Sequence, residues 1–157
     1  MRLPPGHRLS VEEKPAPADL NALANGLEAF NETRWPGHQP WKELAIFVRD
    51  ADGAVVGGLA GHSYAGWLFV QYLWLGEHLR GADLGRDLIE RAERIAVERG
   101  CHSAHLDTFS FQARGFYEKH GYAVFGALDY PGAPAVLPAQ AAHGAGAMVR
   151  SGAGVET

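Results

Sequence analysis

Residues 67–75, WLFVQYLWL, are aliphatic or aromatic at every position except Gln71. A strand with one wet face alternates polar and apolar residues, so a run like this predicts a central strand covered on both faces. It leads directly into GEHLRGADLG and then into a segment where Leu84, Leu88, Ile89, Ala92, Ile95 and Ala96 fall on one helical face. Gly100 stands where that helix should stop, and Glu90 and Arg94 are spaced to pair on its exposed side. A buried strand feeding an amphipathic helix requires a sheet with helices packed on it.

A membrane span is the competing explanation, because Gly53 to Gly76 is 24 residues without Asp, Glu, Lys or Arg. Gly57, Gly58, Gly61 and Gly66, with His62, Ser63, Tyr64 and Gln71, break that run into two strands and a loop, so no membrane partner is expected. Around it, Ala18–Asn31 has Leu20, Leu23, Leu27 and Phe30 at helical spacing and ends at NETRWPGHQP. ELAIFVRD reads as a strand, DADG as a hairpin turn and AVVGGLAGHSYAG as the returning strand. Beyond the second helix, HSAHLDTF reads as a strand, SFQARGFYEKHG as a short helix and YAVFGAL as another strand. The fold class is α/β: a mixed, mostly antiparallel central sheet flanked by helices.

The chain has 157 residues, 46% of them hydrophobic, which suits one core. Its net charge is −4, with 14 basic and 18 acidic residues and no block of consecutive Lys or Arg, so nucleic acid is not an expected partner. Cys101 is the single cysteine, which excludes an internal disulfide. The N-terminal stretch MRLPPGHRLSVEEKPAP lacks the apolar core of a signal peptide, which points to the cytoplasm. Pro131–Val149 carries no charged residue except through histidine and is mostly Ala, Gly and Pro. The expected organisation is therefore a domain at 1–130 and an irregular tail at 131–157.

The stretch LRGADLGRDLI, residues 79–89, has the makings of either a turn or a phosphate cradle. Backbone N–H groups and the positive end of a helix can hold an anion without a basic tract. Together with FYEKHGY, which begins 31 residues after Gly85, LWLGEHLRGADLG resembles the GCN5-related N-acetyltransferase superfamily, whose loop pattern is Q/R-x-x-G-x-G/A. The resemblance covers roughly Leu20 to Tyr130 and is similar in detail to one uncharacterised bacterial subgroup. It implies the acyl-CoA N-acyltransferase fold, acetyl-CoA as co-substrate, and an amine acceptor attacked directly in a ternary complex.

Carried over residue by residue, the resemblance implies that Arg80, Gly81, Ala82, Asp83, Leu84, Gly85 and Arg86 hold the coenzyme pyrophosphate. It places Leu73 and Leu75 on the strand beside the thioester and Ser110 near the pantetheine arm. Asp83 stands where the family has its first loop glycine, bringing a negative charge to a phosphate site. Tyr117 occupies the position of the general acid; taken alone it would read as a core aromatic. For the base there are two candidates, Glu77 and Asp107, each equally readable as a solvated strand end or a helix cap. His102 and His105 fall on opposite faces by strand spacing, and no metal is assigned. Tyr64, Trp67 and Tyr72 are candidates to line the acceptor cleft.

Members of the subgroup end in a basic, aromatic strand after a YP pair, and this chain does not. Read one base later, the codons for PGAPAVLPAQAA can spell PGHRRYFLRKRL, so a frame shifted near Tyr130 or Pro131 would account for the tail. An altered last strand would leave its neighbour with an open edge, lower the stability and favour association as a homodimer. Asp83 and the tail also support an alternative function, a coenzyme-binding module of the same fold without turnover.

Overall fold

The computed structural model describes residues 3–130 and 132–142. Residues up to His38 and residues from Gln39 onward form two compact units. The first holds α1, Pro17–Arg34. Pro17 suits the first helical position because its missing N–H would have no partner there, and Asp19 and Arg34 lie at the helix ends that favour their charges. Its apolar residues Leu20, Leu23, Leu27 and Phe30 are exposed. Just beyond the helix, His38 Nδ1 lies 2.9 Å from the Trp35 carbonyl oxygen and Nε2 lies 2.9 Å from the Glu28 carboxylate. The Trp35 bond, with the Glu28 and Glu32 charges, raises the His38 pKa against the opposing effect of burial.

The second unit is built on β1 (Lys42–Arg49), β2 (Val55–Tyr64), β3 (Trp67–Leu75), α2 (Leu84–Glu98), β4 (Ser103–Phe109), α3 (Arg114–Lys119), β5 (Ala123–Val124), β6 (Leu128–Tyr130) and β7 (Ala133–Ala142). The sheet order is β1-β2-β3-β4-β7-β5, with β6 also on β7. β3 and β4 run parallel and the other pairs are antiparallel. The DADG turn forms as expected: the Asp50 carboxylate accepts from the Asp52 and Ala54 N–H groups at 3.0 and 2.9 Å. The predicted apolar face of α2 is also as read, with Leu88, Ile89, Ala92 and Ala96 buried among Leu68, Val70, Ala104 and Leu106. Among the described residues, no helix is long and apolar enough to cross a membrane.

Three sequence expectations are corrected. First, WLFVQYLWL is not covered throughout: Leu68 and Val70 are buried, while Gln71, Tyr72 and Trp74 are exposed. The cause is the parallel ladder, which runs only from Trp67↔Ser103 to Val70↔Leu106. Second, the stretch read as a helix from Ser110 is helical only over Arg114–Lys119. Gln112 intervenes: its side-chain oxygen accepts from Phe109 N–H at 2.9 Å and holds residues 109–112 as a turn. Third, residues 133–142 are not irregular, because β7 lies between β4 on one side and β5 and β6 on the other.

Backbone pairing on both sides offsets the ordering cost that the small side chains of β7 could not. Leu137 and Ala139 add buried contacts. Pairing with β7 from Ser103 to Phe109 therefore closes the edge of β4 that an altered tail was expected to leave open. Residues 143–157 of the expected irregular tail lie outside the described residues.

β3 also carries a bulge. Val70 pairs with Gly61 and Tyr72 with Ala60, leaving Gln71 as the extra residue. A Cβ on Gly61 would collide with the Phe69 carbonyl oxygen, so the bulge requires a glycine opposite it. It falls where β3 and β4 part.

Candidate functional site

Beyond Val70 the two parallel strands diverge, and the wedge between them opens into two adjoining clefts of about 560 and 700 Å³. Leu73, Trp74, Arg80, Ala113 and Tyr117 line both. Amide direction alternates along an extended strand. Gly76 N–H points to the Val56 carbonyl oxygen on β2, at 2.9 Å, so the amides of Leu75 and Leu73 point the other way, into the wedge. The Leu75 carbonyl shares that direction, and Arg80 Nε donates to it at 3.1 Å. Arg80 is thereby held at the junction of the clefts.

The first cleft contains the loop between β3 and α2. Gly81 and Asp83 both have positive φ, +83° and +56°. Asp83 thus adopts the left-handed conformation for which a glycine is usual, and aspartate is among the few residues that tolerate it. Its side chain does not cap α2. It lies instead 3.6 Å from the Arg86 guanidinium, which also stands 3.8 Å from Asp87 and 3.7 Å from Glu90. The Asp87 N–H is taken by the Asp83 carbonyl at 3.1 Å. The amides of Leu84, Gly85 and Arg86 have no acceptor among the described residues. Three free amides at a positive helix end are an arrangement suited to holding an anion.

Leucine side chains at 73, 75, 79 and 84 and the Phe116 ring supply an apolar wall, while Lys119 and His120 line the same cleft. The residues present therefore fit a long molecule with an anionic end and an apolar arm. Gly85 lets the far side of this cleft close: a Cβ there would stand 3.3 Å from the Phe116 ring.

Tyr117 sits where the clefts meet. Its residue is 8% exposed and burial pushes the phenol pKa upward. The hydroxyl has no hydrogen-bond partner among the described residues, an unusual state for a buried phenol and one that leaves it available to a ligand. The second cleft brings together Gln71, Tyr72, Asp107, Thr108, Phe111 and Gln112. Asp107 thus faces the same space as Tyr117.

Of the residues expected at the site, Leu73, Leu75, Arg80, Gly81, Asp83, Leu84, Gly85, Arg86 and Tyr117 line the first cleft. Ala82 lies in the loop but does not line it. Tyr72 lines the second cleft, whereas Tyr64 and Trp67 lie at the hairpin end of β2 and β3. Glu77 is exposed on a 3-10 turn, Glu77–Leu79, and lines neither cleft. Ser110 lies in the turn after β4, not two helical turns before Tyr117; its N–H donates to Ala135, and it also lines neither cleft.

His102 and His105 do not sit apart. His102 precedes β4, so strand spacing does not apply to it, and both rings contact Trp67 at centroid distances of 5.6 and 5.8 Å. Phe116, Lys119, His120, Phe111 and Gln112 are site residues that the sequence reading missed. Their signal depends on where α3 starts, which spacing alone placed at Ser110 and not at Arg114.

The comparisons with known proteins agree with this geometry. The sequence profile described as the acetyltransferase (GNAT) family matches residues 14–122. The chain is 38% identical over 107 residues to acetyltransferase Atu2258 of Agrobacterium fabrum, covering 68% of this chain and 77% of that one. It is 39% identical over 107 residues to blasticidin-S acetyltransferase of Streptomyces morookaense, covering 67% and 79%. The crystal structure of an acetyltransferase from Bacillus cereus superposes with a TM-score of 0.71 at 30% identity, covering 85% of this chain and 97% of that one. A parallel pair that parts around a buried tyrosine, beside a helix N-terminus with three free amides, is thus found in a chain that belongs to the GNAT family of acetyltransferases.

Proposed function

We propose that the protein is a cytoplasmic N-acetyltransferase that moves the acetyl group of acetyl-CoA to a primary amine of a small molecule or protein. Both substrates are held at once. The observation that carries this reading is the placement of Tyr117 between an anion-binding cleft and a second cleft containing a carboxylate. The free amides of Leu84, Gly85 and Arg86 would receive the coenzyme diphosphate, with the apolar wall along its arm. The wedge-facing amides of Leu73 and Leu75 would orient the acyl arm, and the Leu75 N–H would stabilise the oxyanion.

The amine lone pair attacks the thioester carbonyl carbon, the C–S bond breaks, and the sulfur takes the proton of the Tyr117 hydroxyl. A thiol pKa near about 8.5 makes this assistance useful without making it indispensable. The proton lost by the amine passes to a carboxylate directly or through water. Asp107 supports that role better than Glu77, since Asp107 faces the shared cleft. The relative from Streptomyces morookaense is named for blasticidin-S, which supports including small molecules among the acceptors tried.

A second reading rests on Asp83, whose carboxylate stands at the anion site: a coenzyme-binding module without turnover. Calorimetry with acetyl-CoA followed by thiol release against an amine panel separates the two. Binding with release supports the enzyme, and binding without release for any amine supports the module. Absence of binding overturns both.

A further inference from the structure

Helices α2 and α3 meet first at Gly85 and Phe116. About two turns further along α2, Glu93 Oε1 accepts a hydrogen bond of 2.9 Å from the Tyr122 hydroxyl. Tyr122 follows α3 and is 3% exposed. Its ring meets the Tyr117 ring edge to face at 5.9 Å, with Phe116 in a similar contact at 5.2 Å. The main chain is tied as well: the N–H groups of His120 and Tyr122 both donate to the Tyr117 carbonyl, at 2.9 and 3.1 Å. The residue that holds the Tyr117 ring from behind is therefore fixed by a carboxylate on the helix whose N-terminus forms the anion site.

A phenylalanine at 122 would fill nearly the same volume without placing a carboxylate beside the core. Burial pushes the Glu93 pKa up, while the Tyr122 bond and the nearby His120 pull it down and Glu90 pushes it up. Packing alone does not require this bond. A fixed spacing between helices does, because a hydrogen bond restricts ring position and a purely apolar contact tolerates sliding.

We propose that Glu93 and Tyr122 are a positioning pair, setting the place of the Tyr117 hydroxyl relative to the anion-binding end of α2. The pair touches no substrate and acts through Tyr117. This rests on Tyr117 as the general acid. A misplacement of about 1 Å at a reacting group can cost about 10²-fold, and loss of one brace should cost less.

The test is a set of steady-state measurements on folded variants checked by thermal melting. Tyr122→Phe should lower kcat about tenfold with KM for acetyl-CoA within about twofold. Glu93→Leu should do the same. Glu93→Gln, whose amide oxygen can still accept from Tyr122, should keep kcat within about twofold of the parent. In a Tyr117→Phe background, Tyr122→Phe should cause no further loss. An equal loss in both backgrounds, or a raised KM at unchanged kcat, overturns the positioning role while leaving Tyr117 as the acid. Unimpaired turnover of Tyr117→Phe overturns the acid assignment and this proposal with it.

Discussion

Phe116 occupies the space that a side chain at Gly85 would need, its ring 3.3 Å from the ideal Cβ position. Two effects oppose each other in Gly85→Ala. Alanine gains up to about 1 kcal/mol of helix propensity, less in a first turn. The ring must yield by a few tenths of an ångström, and the part that yields is its tip. The melting temperature should therefore move by no more than about 3 °C, while displacement of the cleft wall should raise KM for acetyl-CoA several-fold. Unchanged KM would mean that the ring moves without reshaping the coenzyme cleft.

Asp83→Gly should tighten coenzyme binding. The substitution keeps the positive φ available and removes a charge whose repulsion of an anion bound at the helix end would be on the order of 0.5–1 kcal/mol, or roughly two- to fivefold in affinity. It also frees Arg86 from its 3.6 Å contact. The gain should shrink as salt rises. Calorimetry at low and high ionic strength reads both effects, and equal affinities at low salt would show that the carboxylate points away from the bound phosphates.

Tyr117→Phe should be uncommon among buried tyrosine replacements in leaving stability nearly unchanged, because the hydroxyl has no hydrogen bond to lose among the described residues. Turnover should fall about 10²- to 10⁴-fold. Since burial raises the phenol pKa above its ordinary value of 10.0, the acid stays protonated throughout the neutral range. Ionisation of Tyr117 should therefore produce no falling limb in kcat below about pH 10. A falling limb near pH 8 that vanishes in the phenylalanine variant would contradict this.

Acid should weaken the sheet. His62 and His105 flank the Phe69 ring, at centroid distances of 5.3 and 4.8 Å. Burial lowers both pKa values, the charge of His105 lowers that of His62 further, and Asp107 partly opposes the effect at His105. Depressed histidine pKa values supply stability that is present above the unfolded value of about 6.5 and is lost as pH falls through the folded values. Thermal melts between pH 8 and 5 should show that loss, and His62→Phe should reduce its slope. An identical slope in the variant would place the acid sensitivity elsewhere.

The sequence revealed most of this fold wherever one local signal decided one element. The DADG turn and the periodic face of α2 were readable because a carboxylate beside backbone amides, or apolar residues every three or four positions, act over a few residues. The loop from Arg80 to Arg86 was singled out by its resemblance to the family's pattern, and all of it but Ala82 lines the first cleft. Ser110 was misplaced because Gln112 holds the chain in a turn, a side-chain bond that helical spacing does not encode. β7 was missed because its order comes from partners on both sides, which composition cannot see. The contact between Gly85 and Phe116 joins residues 31 positions apart and needed the folded chain to be seen.

The bulge at Gln71 and the parting of β3 from β4 give the middle of the sheet a built-in reporter. Residues 67–70 of β3 are closed by neighbours on both sides and should exchange their amide hydrogens slowly, whereas the Leu73 and Leu75 amides face the wedge and should exchange rapidly within the same strand. A ligand seated in the wedge would slow those amides selectively. Occupancy of the site could then be followed from the main chain itself, without a label, a chromophore or knowledge of the acceptor.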